Sequence, residues 1–297
     1  LNPHVREKSD DGKLGITVHV DYAFLGPSET EEDTQPCLVV YDEDKNAFWA
    51  IAVKSKAVTQ PLVKYFKEVL DKSGYEGEKV TLKSDQEASI VALKRAVAAA
   101  RSGETVPIES PVRSSKSNGR MEGAVGIWQG QVRTLKHYAE SQLKTRIQVD
   151  GPVYSWLVAF CADSMNKYKT GPDGRTAYEN ITNHKCRQIV VGFGEVVDYI
   201  LEPSKGHMHK ADSRVSKGVF LGYDWRSTEY IIGTADGVYK CRTVRRRAKE
   251  NSYDAELIDN IKVSYDEYIL EGAKTTPAVT FARPAEIEAA PPVPTRG

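Results

Sequence analysis

Three acidic residues stand where chemistry is possible: Asp21 in Val18-His19-Val20-Asp21-Tyr22, Asp85 in Leu82-Lys83-Ser84-Asp85-Gln86-Glu87, and Glu122 in Ser117-Asn118-Gly119-Arg120-Met121-Glu122. The first ends an apolar alternation, the second lies between a strand pattern and a helix start, and the third opens a long helical pattern behind a glycine. A fold that gathers them makes a carboxylate cluster. Close carboxylates repel, and one of them would keep a proton unless a divalent cation sits among them. Carboxylate oxygens are the hard ligands that Mg²⁺ or Mn²⁺ takes. No Ser/His/Asp or Cys/His arrangement offers a protein nucleophile.

The elements that would position these acids can be read from periodicity. Leu14, Ile16, Val18 and Val20 alternate with Gly15, Thr17 and His19, a strand leading into Asp21. The apolar runs 37–41 and 47–53 flank Asp42-Glu43-Asp44-Lys45-Asn46 and predict a hairpin. Thr59 is a candidate N-cap, Pro61 a first-turn residue, and Leu62, Phe66, Val69 and Leu70 recur at helical spacing up to Gly74. A strand over 80–82 follows, then Ser84 and Glu87 as a capping box opening a helix with Ile90, Val91, Leu93 and Val97 on one side. A short strand over 105–108 leads into a Ser-rich stretch, 109–119, expected as a mobile loop. Ala124, Ile127, Gln131, Leu135 and Tyr138 then predict an amphipathic helix over 119–145, and Val153, Trp156, Leu157 and Phe160 another over about 152–168.

Beyond Gly174 the texture changes to short β-like runs over 189–193, 196–201, 218–223, 230–233 and 238–244, with Asp236-Gly237 as a hairpin signal. These predict a small barrel. The acidic stretch 252–271 is helix-like, and the Pro/Ala-rich tail beyond it is expected to be disordered. The expected organisation is a linker over 1–13, a core over 14–170, a connector over 171–185, a barrel over 186–250, and the acidic segment and tail over 251–297.

Of the 297 residues, 40% are hydrophobic and 28% charged, the balance of a globular protein, and no apolar run is long enough to span a membrane. The opening Leu1-Asn2-Pro3-His4 suggests a piece of a longer polyprotein. Net charge is zero, yet residues 113–146 carry seven Lys/Arg against two Asp/Glu and residues 205–250 carry eleven against five, two basic surfaces suited to phosphate. Cys37, Cys161, Cys186 and Cys241 form no Cys-x-x-Cys pair and no disulfide framework is expected. His184, Cys186, His207 and His209 tempt a zinc assignment, but their spacing matches neither a finger nor a ribbon.

In this order, with 36 residues between the second and third acids, the set Asp21, Asp85 and Glu122 resembles the DDE integrase core of retroviruses and LTR retrotransposons, an RNase H-like mixed five-stranded sheet flanked by helices. Gln131-Val132-Arg133-Thr134-Leu135-Lys136, Thr176-Ala177-Tyr178-Glu179 and Lys217-Gly218-Val219-Phe220-Leu221-Gly222-Tyr223 resemble the copia-type branch, in which a small SH3-like barrel follows the core. The resemblance covers roughly residues 14–250. It implies a polynucleotidyl transferase that trims the ends of element DNA and joins them to a target duplex, with Asp21 bridging two Mg²⁺ or Mn²⁺ ions, Asp85 on one and Glu122 on the other. It further implies a homo-multimer on double-stranded DNA, no membrane partner, and work in the nucleus after a cytoplasmic particle stage. Asn118 would meet DNA from the loop before the helix, Arg120, Arg133 and Lys136 from the helix, and Arg242, Arg245, Arg246 and Arg247 from the barrel.

Two features depart from the family. Gly123 stands where Arg usually follows the third acid, with Gly126 and Gly130 further along, and the upstream His/Cys zinc module is missing. Two alternatives therefore stand beside the enzyme: a degenerate or host-adopted copy that only binds DNA, and an RNase H-like nuclease that cleaves without joining. Each acid also has an ordinary reading, as a strand end, a helix-cap neighbour or a first-turn acid favoured by the helix dipole.

Overall fold

The computed structural model describes residues 15–26, 35–110, 115–200 and 215–270, with the backbone alone for 115–118. Alternation in β1 (Ile16–Ala23) sends Val18, Val20 and Tyr22 to one face and His19, Asp21 and Ala23 to the other. β2 (Cys37–Asp42) and β3 (Ala47–Ala52) form the expected hairpin and extend the sheet antiparallel. Its turn is fixed by the Asp42 carboxylate, which accepts from the N–H groups of Asp44 and Lys45, and by Asn46 at a φ of 55°. Two parallel strands, β4 (Val80–Ser84) and β5 (Thr105–Glu109), complete the order β3-β2-β1-β4-β5. Three antiparallel strands followed by two parallel ones, crossed over by helices, make this an RNase H-like sheet.

Helices cover both faces, which is why β3 is buried at every position. α1 (Gln60–Lys72) starts as expected, with the Thr59 hydroxyl accepting from Leu62 N–H and Pro61 in the first turn. It packs with α2 (Ala88–Ala100) over Val18, Val20, Leu38 and Leu82. The predicted capping box of α2 does not form. β4 runs on through Ser84, whose hydroxyl donates to the Asp85 carbonyl, so the helix starts later, with Glu87 at its N-cap and no side-chain cap bond.

α3 (Ser115–Leu143) and α4 (Pro152–Tyr168) cover the opposite face. α3 begins earlier than the sequence predicts, so Asn118 and Gly119 lie within the helix rather than in a loop before it. Its phase also differs from the expected one. Met121, Ala124, Trp128, Val132 and Ala139 are buried, whereas Ile127 and Tyr138 are 49% and 51% exposed. Trp128 wins because an indole buries more apolar area than an isoleucine. The expected stripe of Ile127, Gln131, Leu135 and Tyr138 instead borders a groove of about 450 Å³ shared with Tyr168 and Val190.

Four glycines space α3, and a Cβ added at Gly119, Gly123 or Gly126 would meet nothing within 4 Å. Packing therefore does not require them, and each costs about 1 kcal/mol of helix stability relative to Ala. Gly126→Ala should raise stability by roughly 0.5–1 kcal/mol, read as an upward shift of the urea midpoint without a change in slope.

Asn166 on α4 closes the free edge of β3: its amide donates to the Phe48 carbonyl and accepts from the Phe48 N–H, both at 2.7 Å. α4 is buried on most sides because the second sheet packs against it, with Phe160 meeting Phe193 and Phe220 at 5.4 and 5.9 Å. That sheet holds β6 (Val196–Ile200), β7 (Val215–Tyr223), β8 (Tyr230–Thr234), β9 (Gly237–Cys241) and β10 (Val244–Arg246) in the order β10-β6-β7-β8-β9. The last strand pairing the first curls it towards a barrel. The run 189–193 is not a strand; its backbone is held by the Tyr223 hydroxyl, which donates to the Ile189 carbonyl at 2.7 Å. One apolar cluster joins α3, α4 and this sheet, so residues 171–185 connect parts that share a core.

Two of the quoted motifs turn out to hold structure. Thr176 and Glu179 form a reciprocal capping box at α5 (Ala177–Thr182). Gly218 lets strands approach, since a Cβ there would lie 2.4 Å from Ile232 Cγ2. The acidic segment folds back as α6 (Ala255–Asp259) and α7 (Tyr265–Leu270), with Trp156 Nε1 donating to the Val263 carbonyl at 2.8 Å and Tyr265 and Tyr268 packed on its ring. The four cysteines are free. The expected linker, the tail beyond 270, and His207 and His209 lie outside the described residues.

Candidate active site

Parallel pairing of β1 and β4 runs from Ile16 with Val80 to His19 with Lys83. Asp85 stands just past the end of β4, and adjacent strands lie about 4.8 Å apart, so it comes near Asp21 on β1, on which its charge acts. Asp21 itself leaves the face opposite Val20 and Tyr22. That is the face covered by α3, whose Gln129 amide donates to the Phe24 carbonyl at 3.1 Å. In open α/β sheets this end is where ligands bind.

Each carboxylate is oriented locally through one oxygen. Asp21 Oδ1 accepts from the N–H of Tyr22 at 2.8 Å, and Asp85 Oδ1 accepts from the N–H of Glu87 at 3.0 Å. Both side chains are half-buried. Burial, and then the charge of Asp85 with a smaller push from Glu87, lifts the Asp21 carboxyl to about 6 against an ordinary 3.8. Lys56 opposes that shift weakly.

Glu87 stands beside the pair as a further acid, its Oε2 3.0 Å from Lys56 Nζ and its Oε1 accepting from the Ser89 hydroxyl. The sequence marks it as a cap residue, and only the late start of α2 frees its side chain for the site. On α2, Lys94 is fully buried, donating to the Ile108 carbonyl at 2.7 Å and lying 3.4 Å from Glu109, with Asp85 also in its field.

Glu122 is placed differently. It sits in α3 next to the buried Met121 but is itself exposed. Among the described residues, no three His, Cys, Asp or Glu side chains are grouped to hold a metal ion. The structure thus brings Asp21 and Asp85 together and leaves Glu122 outside them. The reason is helix phase: with Met121, Ala124 and Trp128 turned into the core, position 122 falls on the flank.

The basic residues expected at DNA fall into two groups. Arg120 pairs with Glu43, which also meets the buried His19 at 3.0 Å, and Lys136 pairs with Glu140 at 2.5 Å. In the second sheet Arg246 meets Glu195 at 2.7 Å, Arg242 lies 3.7 Å from Glu229, and Arg247 lies 3.8 Å from Asp198. Arg133 and Arg245 are exposed. Asn118 lies on the backbone of α3. No helix among the described residues is long and apolar enough to cross a membrane.

No family model matches the chain. No curated relative matches it in sequence. Among solved structures it is similar to a chain of the simian T-cell lymphotropic virus intasome in complex with the PP2A regulatory subunit B56 gamma, at 11% identity and a TM-score of 0.40, over 78% of each chain. It is also similar to the HTLV-2 integrase catalytic core domain in complex with magnesium, at 10% identity and a TM-score of 0.39, over 56% of this chain and 95% of that one. At such identity and score these likenesses carry nothing about activity, and the fold is read from the chain's own strand order.

Proposed function

We propose that this chain is the catalytic region of a copia-type retrotransposon integrase, which trims DNA ends and joins them to a target duplex in the nucleus. The observation that carries the reading is the juxtaposition of Asp21 on β1 and Asp85 just past the end of β4, near enough for the charge of Asp85 to act on Asp21. Two half-buried carboxylates, the proton affinity of Asp21 raised by burial and by its neighbour, are poorly satisfied alone and well satisfied by a divalent cation, so the donor set fits Mg²⁺ or Mn²⁺. Asp21 and Asp85 would hold the metal, and Glu122 would complete the set once its side chain turns inward from α3. Bound there, a pair of ions would neutralise charge on the reacting phosphate and its attacking and leaving oxygens.

The chain's own residues do the rest. The Tyr22 and Glu87 N–H groups fix one oxygen of each aspartate, which orients the other for ligation. Lys94, fully buried, counters part of the charge and holds the end of β5 against α2. The exposed Arg133 and Arg245 would meet DNA backbone, a contact indifferent to sequence. Copies assembling on DNA fit the family resemblance.

The test is joining of a labelled duplex end to a plasmid in Mn²⁺. Glu122→Gln should lower the rate at least roughly tenfold, about 1.4 kcal/mol of barrier, while Glu87→Gln leaves most of it. The reverse order would move the third ligand to Glu87. One observation favours a second reading, a copy that binds DNA without chemistry: Glu122 stands outside the pair on a glycine-spaced helix. Calorimetric titration with Mn²⁺ separates the two, because only the enzyme shows heat that Asp85→Asn removes.

A further inference from the structure

The loop between β3 and α1 carries a residue that no motif marks. Positions 54–60 are exposed except Lys56, whose side chain keeps only 32% of its surface. Its ammonium lies 3.0 Å from Glu87 Oε2, 4.9 Å from the centre of the Phe24 ring and 5.6 Å from that of Tyr22. Asp21 feels its charge. Two aromatic faces and one carboxylate are an uncommon seat for a loop lysine. A surface ion pair alone seldom holds so flexible a side chain, whereas ring faces attract a cation and cover its stem.

Lys56 and Glu87 both act on Asp21, so the seat lies near the carboxylate pair, by the end of the sheet that a phosphodiester would approach. Asp21, Asp85 and Glu87 each repel a phosphate. A lysine has three donors, of which Glu87 engages one, so the group can meet a phosphate oxygen while the rings keep it in place. We propose that Lys56 is a phosphate-binding residue of this site, a pinned cation that receives the DNA backbone beside the reacting phosphodiester. The inference rests on the integrase reading for the reaction, but the contact itself is testable without it.

The experiment compares the full chain with Lys56→Met and Lys56→Arg. Methionine keeps an unbranched apolar stem against Tyr22 and Phe24 and removes the charge. Duplex binding is measured in Mn²⁺ across a series of salt concentrations. A lost phosphate contact lowers the slope of log affinity against log salt by about one, and arginine restores it. Removing a cation beside a metal site does not weaken metal binding, so Mn²⁺ affinity of Lys56→Met stays level or rises by roughly severalfold. Where the parent joins DNA, the Met variant joins roughly tenfold to a hundredfold more slowly, on the lower side of what loss of one oriented donor costs. An unchanged salt slope overturns the proposal, as does weaker Mn²⁺ binding in Lys56→Met, which would make the lysine a clamp for Glu87. A parent that binds duplex but joins nothing defeats the integrase reading instead, and the slope still decides the role of Lys56.

Discussion

Asp21→Asn makes the metal-free protein more stable at pH 7.5 and unable to join DNA. In the folded protein the Asp21 carboxyl is held up to about 6, first by burial and then by Asp85, against 3.8 ordinarily. The folded state therefore binds this proton more tightly than the unfolded state does. Stability from this group is present below about pH 4, falls as the pH rises towards 6, and is absent above it. Near neutrality the ionised carboxylate is a cost. Asparagine is neutral and of the same shape, and its carbonyl oxygen can still accept from the Tyr22 N–H.

A carboxyl held at about 6 against 3.8 corresponds to roughly 3 kcal/mol at most, and partial exposure reduces it, so a gain of roughly 1–3 kcal/mol is expected. Denaturation in chelator at pH 7.5 measures it, and the gap between variant and parent should narrow as the pH falls to 4. Asp42, also lifted to about 6 mainly by burial, titrates in both proteins and cancels in the difference. Mn²⁺ should then stabilise the parent and leave Asp21→Asn unmoved, since only the parent keeps the full seat. A variant less stable than the parent without metal would contradict the picture of two crowded carboxylates.

Asp85→Asn also slows joining strongly. Its carboxylate is oriented by the Glu87 N–H and its charge acts on Asp21, so the substitution removes a charge from the reacting centre while leaving β4, which ends at Ser84, undisturbed. Loss of one such electrostatic group costs about 2.7–4 kcal/mol, or roughly a hundredfold to a thousandfold in rate. Single-turnover joining at saturating Mn²⁺ reads it, with the unfolding midpoint as the control for fold. Equal rates for variant and parent would reject Asp85 as a ligand.

Strand alternation made β1 to β3 and the ends carrying Asp21 and Asp85 legible, because a period of two leaves little freedom about which face a side chain takes. α1 was equally plain, since Thr59 and Pro61 mark its start by local chemistry. α3 was not. Its sequence carries two apolar stripes, and which one is buried depends on Trp128 finding room in the core, a tertiary fact. That same phase decides where Glu122 points, so the third acid was the least legible part of the site.

Ser84 illustrates a further limit. Ser84 and Glu87 satisfy the letters of a capping box, yet β5 holds Ser84 in the sheet and the letters are spent otherwise. Lys56 left no signal, and Glu87 only that of a cap: a lysine in a polar loop and an acid at a helix start do not point to one another until Tyr22 and Phe24 bring them together. The barrel arginines read as a DNA surface in sequence, whereas carboxylates brought from Glu195, Asp198 and Glu229 occupy three of them.

The central claim is that Asp21 and Asp85 together seat divalent metal. Anomalous diffraction from crystals soaked in Mn²⁺ tests it most directly. The account predicts scattering peaks within bonding distance of both carboxylates, at about 2.0–2.2 Å, a hard-cation range, with Glu122 turned in as a further ligand. Density for Mn²⁺ only elsewhere, or none beside Asp21 at saturating metal, would contradict it.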